Sequence, residues 1–264
     1  WANKNAMIYP PMAGDTNGLT VPFRPDMLAL AIAQMTLALA SMHDVAGMVH
    51  LDIRPGAIHY NLGQMDPYSF DANKPPPIEF YLSEFGMARR LTPRPAAPTG
   101  GPRFAGVQLS SLVFAPEFRP PEIWECVALE DPTAQTMIPN CHIRTDSRSD
   151  LYSLGLVAAT WAGFPMRSIY QMLESRCLAE SQTHKNIAED EQADFDEIAT
   201  ARAFQAACVH AAMHEAAQDV VRHFSTEAGD RDFGVFLSSL LVSPSDRTKH
   251  ATPTSDLFFF PYLQ

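Results

Sequence analysis

The run M-V-H-L-D-I-R-P-G-A-I-H-Y-N (Met48–Asn61), followed after a Pro-rich interruption by I-E-F-Y-L-S-E-F-G-M-A-R (Ile78–Arg89), decides the reading of this chain. Two apolar runs lie either side of a segment, Leu62 to Pro77, that ends in Lys74-Pro75-Pro76-Pro77 and carries no hydrophobic period. They predict a short β hairpin with a surface insertion at its tip. The chemistry-bearing residues gather at the other end: His50, Asp52 and Arg54 around the first run, and Glu84 before Phe85-Gly86 in the second.

Outward from that stretch, Pro25 opens a segment in which Met27, Leu30, Ala31, Met35, Leu37, Ala38 and Met42 recur at helical spacing. This predicts a buried helix of about five turns, ended at Gly47. Before it, Ala6–Tyr9 reads as an edge strand and Gly14-Asp15 as a turn. Downstream, Arg89 to Gly106 is rich in Pro and Gly and predicts no regular structure. Ile123 and Trp124, after Pro120-Pro121-Glu122, read as a buried helix start. R-S-D-L-Y-S-L-G-L-V (Arg148–Val157) predicts a helix capped by Ser149 or Asp150. A helix from about Met166 to Leu178, an acidic run from Ala188 to Glu197, and a long Ala-rich helix from Ala199 to Phe224 follow.

With 264 residues the chain is long enough for one large domain. Its 19 Lys+Arg against 30 Asp+Glu give a net charge of -11, which disfavours nucleic acid or anionic lipid and favours a protein or small-ligand partner. No apolar run approaches the ~20 residues of a bilayer span, so none is expected. The Trp1 start carries no basic-then-apolar leader, and a removed leader or an upstream domain is compatible with it. The four cysteines read either as reduced, partly buried thiols or as containing a Cys126–Cys141 disulfide that closes a loop rich in Pro, Thr and acidic residues. Cys177 and Cys208 fall in helical-looking sequence, and no C-x-x-C or His/Cys cluster points to zinc.

The order His-x-Asp, basic residue before Pro, second apolar run, acid-Phe-Gly resembles the catalytic and metal-binding loops of the eukaryotic protein kinases, H-R-D-L-x-x-x-x-N and D-F-G. Further motifs follow in family order. F-A-P-E-F-R-P-P-E (Phe114–Glu122) resembles the A-P-E element, with Glu117 or Glu122 as its acid. R-S-D-L-Y-S-L-G (Arg148–Gly155) resembles the S-D-x-W-S-x-G helix, and the stretch from Val235 to Thr248 resembles the closing F-L-x-x-L-L-x-x-D-P-x-x-R-x-T. The resemblance implies a mainly α fold: a hinge-like segment, residues 1–20, then a kinase-like C-terminal lobe, residues 21–264, with a short β hairpin at the catalytic loop and the N-lobe largely absent. Insertions at the hairpin and before the Ser149-Asp150 helix, with the even cysteine count, are similar to those of the secreted rhoptry kinases of apicomplexan parasites. That implies a secretory or rhoptry and parasitophorous-vacuole location.

Carried over residue by residue, the resemblance makes Asp52 the base at the substrate hydroxyl and Arg54 the cation near the transferred phosphate. Asp52 equally reads as a carboxylate that orders a tight loop. His50 reads as a core histidine with satisfied nitrogens. Leu51 replaces the arginine that would hold an activation-segment phosphate, so phosphorylation of Thr92, Thr99, Ser110 or Ser111 lacks its usual partner. Ala57 stands where the metal-binding Asn belongs, and a methyl group cannot ligate Mg²⁺; Asn61 falls four residues too far along. Glu84 stands at the Asp of D-F-G, a methylene too long, and reads as a weak metal ligand or as a loop carboxylate. Glu122 and Arg247 correspond to the pair that ties the activation segment to the closing helices, and Asp150 to the acceptor of catalytic-loop N–H groups. A scaffold kept while ligands are lost implies a pseudokinase. No cofactor is expected, ATP and Mg²⁺ being weak ligands at most, and the partner is a protein, either an active kinase or a host factor. The alternative is a weakly active serine/threonine kinase with Asp52 as base, Glu84 on one metal and an N-lobe supplied elsewhere.

Overall fold

The computed structural model describes residues 12–18, 22–62, 78–93, 104–109, 111–127, 136–138, 143–164, 177, 195–227, 230–241 and 254. Over these residues the chain is mainly helical with small antiparallel sheets. Helix α1, Pro25–Ala40, begins where Pro25 supplies its fixed φ and Asp26 its negative charge to the first turn. It runs on through a π-helical turn, Ser41–Val45, to Gly47, whose φ of 63° suits a residue without a Cβ. Leu28, Ala31, Ile32, Met35 and Leu39 form its buried stripe.

One helix among the described residues reaches bilayer length. Pro25–Val45 makes 21 continuous helical residues, and an 18-residue window within it has a mean hydropathy of 1.4, long and apolar enough by length and composition to cross a membrane. Gln34, His43 and Asp44 lie within it, and its inner stripe is packed into the protein core.

Helix α1 lies against the hairpin of β3, Ile58–Leu62, and β4, Ile78–Leu82, whose register pairs Ile58 with Leu82 and Leu62 with Ile78. Gln34 joins the two: its Oε1 accepts the Phe80 N–H at 2.6 Å and its Nε2 donates to the Ile78 carbonyl at 3.4 Å, so the free edge of β4 is partly paired. The Gly14-Asp15 turn expected from sequence is instead a strand, β1, Gly14–Asp15, which adds to the hairpin beside Tyr60 and His59. The expected Ala6–Tyr9 strand, the insertion from 63 to 77 and the Met166–Leu178 helix (apart from helical Cys177) lie outside the described residues.

Four short pairings follow. β2, Met48–Val49, pairs with β5, Arg89–Arg90; β6, Thr92–Pro93, pairs with β7, Phe104–Ala105; β8, Val107–Leu109, pairs with β9, Ile143–Thr145. An isolated bridge joins Val127 and Met137. The Arg89 to Gly106 stretch thus contains regular structure that its Pro and Gly content conceals, because two-residue pairings leave no periodicity to read.

Helix α2, Pro121–Trp124, leads to α3, Ser147–Trp161, almost all of which is buried. Its cap is Asp146, which accepts the Arg148 N–H at 2.9 Å, and not Ser149 or Asp150. Both of those spend their side chains on other elements. Helix α4, Phe195–Arg222, buries Val209, Ala212, Met213, Ala216, Ala217 and Val220 on one face, and α5, Arg231–Leu240, buries Phe233, Phe236, Leu237 and Leu240. Helix α4 starts earlier than sequence predicts and takes in the end of the acidic run. A Cβ at Gly155 would meet Leu241 Cδ2 at 2.9 Å, so glycine there permits α3 and the end of α5 to touch.

The described cysteines are not thiols. Cys177 is bonded to Cys208 on α4, a pairing that sequence did not propose. Cys126 is disulfide-bonded too, and its expected partner Cys141 lies outside the described residues.

Candidate functional site

Three loops meet at the base of the hairpin: His50–Ala57, Ser83–Met87 and Leu112–Arg119. Each holds a non-glycine residue in the left-handed region, Leu51 (φ 68°), Glu84 (φ 59°) and Phe114 (φ 68°), and no other described non-glycine residue does. Such conformations cost on the order of 1–3 kcal/mol each and persist only where their surroundings hold them. Leu51 is held on both sides. Its N–H donates to Asp150 Oδ1 at 2.8 Å, and its carbonyl accepts the Phe114 N–H at 3.0 Å.

Asp150, fully buried on α3, is the hub. Its Oδ2 accepts the His50 N–H at 2.6 Å and the His43 Nε2 proton at 2.9 Å. His43, buried on the π-helical turn, meets Thr254 Oγ1 through Nδ1 at 2.9 Å. Sequence did not single out His43 or Thr254; His43 is one of 9 histidines and its position at the end of an apolar helix was the only available signal.

His50 is fully buried. Asp52 N–H donates to its Nδ1 at 3.2 Å, which leaves the proton on Nε2 to donate to the Ser83 carbonyl at 2.7 Å. Its ring lies edge-on to Phe85, with centroids 5.1 Å apart. One histidine therefore joins the Asp52 loop to the Glu84 loop. Ser83 completes the join by donating its N–H (2.9 Å) and its hydroxyl (3.0 Å) to the carbonyl of Ala57. Ala57 itself is fully buried, while Asn61 sits out in β3 opposite Glu79.

Arg54 reaches across this floor. Its Nε donates to Asp52 Oδ2 at 3.1 Å and its Nη2 to Glu84 Oε2, so one guanidinium ties the two carboxylates together. Burial works against the Arg54 charge, but the hydrogen bond and charge of Asp52, then the charges of Glu84 and Asp15, outweigh it and hold its pKa above the ordinary arginine value. Asp52 is the most covered member of the group, at 18% side-chain exposure against 33% for Arg54 and 45% for Glu84. Thr16 Oγ1 donates to the Pro55 carbonyl at 2.7 Å and so lays the β1 end over the same loop.

Gly56 makes room for the clasp: a Cβ there would stand 2.5 Å from Arg54 Nη1. Gly56→Ala is expected to push the flexible guanidinium end aside, loosen its hold on Asp52 and Glu84, and lower stability by no more than about 1 kcal/mol. A thermal melt indistinguishable from the native chain would show that the clasp needs no glycine.

The third loop rests on Arg119, which is 1% exposed. Its Nε donates to the carbonyls of Phe114 (3.1 Å) and Val113 (3.3 Å), and its guanidinium carbon lies 5.5 Å from the Trp124 ring centroid. Glu122 accepts the Ser149 hydroxyl, while Glu117 sits in a short 3-10 turn with no buried neighbour in that turn. Arg247 lies outside the described residues.

Asp52, Arg54, Glu84, His50, Leu51, Ala57 and Asp150 are thus gathered into one connected site, with Glu122 one hydrogen bond away through Ser149 on α3. Among the described residues no group of three or more His, Cys, Asp or Glu side chains is arranged to hold a metal ion. No protein-family model matches the chain, and no curated protein matches it.

Proposed function

We propose that this chain is the helical lobe of a pseudokinase, a kinase-like scaffold that binds or allosterically regulates another protein and no longer transfers phosphate. The observation that carries the reading is the Arg54 clasp. Its guanidinium engages Asp52 and Glu84, the two carboxylates that an active relative would keep for the substrate hydroxyl and a metal ion. Mg²⁺ requires near-octahedral oxygen ligands. Here one oxygen of each carboxylate is bonded to Arg54, and Ala57 adds only a buried methyl group. These residues do not fit the pair of metal ions that the kinase resemblance implies.

What supports a kinase-like scaffold is the hub: a buried aspartate capturing the N–H groups of His50 and Leu51, and a histidine joining the two loops. Division into a hinge-like segment, residues 1–20, and a lobe, residues 21–264, belongs to the same proposal. The disulfides support an oxidising compartment. One observation favours the weakly active kinase instead: Glu84 is 45% exposed, so its pair with Arg54 is screened and opens readily.

Transfer of the γ-phosphate from ATP to a generic protein substrate, with Mg²⁺ and with the native chain beside Asp52→Ala, separates the readings. The scaffold reading expects both chains to be at background. Mg²⁺-dependent transfer that disappears in Asp52→Ala would falsify it and establish the weak kinase.

A further inference from the structure

Asn17-Gly18 is the one Asn-Gly pair among the seven asparagines of the chain; every other asparagine is followed by a residue that carries a Cβ. The difference is chemical. An asparagine Cγ is open to attack by the backbone nitrogen of the next residue, and a glycine leaves that nitrogen unhindered and its backbone free to swing into place. Asn17 and Gly18 are both exposed, in the 3-10 turn Thr16–Gly18 that follows β1. A Cβ at Gly18 would meet no heavy atom within 4 Å, so nothing crowds that bond from outside. The Asn17 N–H donates to Asp15 Oδ1 at 3.0 Å, while its side-chain amide has no hydrogen-bond partner among the described residues. A turn of three residues is held by few backbone bonds and opens readily.

The same side chain stands beside the clasp. A Cβ placed at Gly56 would lie 2.5 Å from Arg54 Nη1 and 4.0 Å from Asn17 Cβ, so those two atoms are no farther apart than the two distances together. Arg54 spends its Nε on Asp52 and its Nη2 on Glu84, whereas Nη1 has no hydrogen-bond partner among the described residues. An amide at position 17 offers that nitrogen a neutral acceptor. A carboxylate would offer a charged one, and hydrogen bonds between ionised partners are roughly twice as strong. Thr16 fixes the approach, since its Oγ1 is bonded to the Pro55 carbonyl and keeps the turn over the Arg54 loop.

We infer that Asn17 is a site of spontaneous deamidation, and that the carboxylate formed there takes the unused edge of Arg54. The Gly18 nitrogen bonds to Asn17 Cγ, the amide C–N bond at Cγ breaks, and ammonia leaves carrying the proton that Gly18 gave up. Water then opens the cyclic imide at one of its two carbonyls, giving aspartate or, where the chain runs on through Cγ, isoaspartate. No electron is gained or lost, and water is the only co-reactant. The aspartate is a further acid around one cation, after Asp52, Glu84 and Asp15, whose charges already act on Arg54. Glu84, at 45% exposure, is the partner that the guanidinium gives up most readily. Ageing of the chain therefore loosens the clasp. This requires only the clasp itself, and neither the scaffold nor the kinase reading.

The test incubates the full chain and a free end-capped peptide of sequence D-T-N-G-L-T in ¹⁸O-labelled water and maps both by mass spectrometry. Asn17 of the folded chain is expected to convert within about tenfold of the peptide's rate, taking up one labelled oxygen. Gly18→Ala, whose methyl group enters open space and leaves the fold intact, is expected to slow conversion on the order of tenfold. In chains with ¹⁵N-labelled arginine, Asn17→Asp is expected to shift the Arg54 Nε–Hε signal, assigned by its loss in Arg54→Lys, further than Asn17→Gln does.

An intact Asn17 in the folded chain once the peptide has converted would overturn the proposal, as would equally fast conversion in Gly18→Ala. An Arg54 signal that Asn17→Asp moves no further than Asn17→Gln would refute its second half, since the new carboxylate would then face solvent and leave the clasp as it is.

Discussion

Asp150→Ala is expected to destabilise the chain by about 3–5 kcal/mol and to lower Tm by roughly 6–20 °C. Asp150 is fully buried and accepts three hydrogen bonds, from His50 N–H, Leu51 N–H and His43 Nε2. Alanine would leave two backbone donors buried without an acceptor, and each such orphan costs about 1–3 kcal/mol. The loss would fall on Leu51, whose left-handed backbone is kept in place by that bond. Amide exchange should therefore accelerate at His50, Leu51 and Asp52 by more than the global loss of stability alone explains. Asp150→Asn keeps one acceptor oxygen and should lie between the two. If Asp150→Ala melts with the native chain, the hub has no structural role and the connected site described above does not exist as a unit.

Cys208→Ser is expected to cost about 3–4 kcal/mol, since a cross-link over this separation restricts the unfolded chain by roughly that amount. Cys177 and Cys208 are 31 residues apart in sequence, and Cys208 sits one residue from the buried Val209 on α4. Cys177 is itself 2% exposed, so the bridge joins α4 to a point within the main core rather than to an exposed loop. Chemical denaturation of native and mutant chains, each under non-reducing conditions, measures the difference. A loss below about 1 kcal/mol would mean that core packing already fixes the two ends.

Sequence carried the site's polar framework better than its geometry. His50, Asp52, Arg54 and Glu84 stood out because charged residues interrupt two apolar runs, and Asp150 because of the motif around it. What they do to one another was not legible. Arg54 lies two residues from Asp52 and 30 from Glu84, and only the fold brings that second carboxylate to it. Ser149 and Asp150 were reasonable caps by residue type, yet Ser149 donates to Glu122 and Asp150 turns to the His50 loop, so Asp146 takes the cap. Left-handed conformations at Leu51 and Phe114 leave no trace in residue types that usually avoid them. Arg119 had no role in the sequence reading, and its burial follows from the fold, where its Nε donates to the carbonyls of Val113 and Phe114. The Cys177–Cys208 bond depends on how α4 packs, which spacing alone does not give.

The clasp and the hub together make the claim on which the function depends: the site keeps its frame, and its two carboxylates serve an internal cation. Thermal melting of the native chain in ATP, with Mg²⁺ and with the metal chelated, tests this most directly, since a ligand that binds the folded state raises Tm. The account predicts that adding Mg²⁺ to ATP produces no further rise. A Tm that climbs with ATP only when Mg²⁺ is present, and stops climbing in Glu84→Gln, would contradict it.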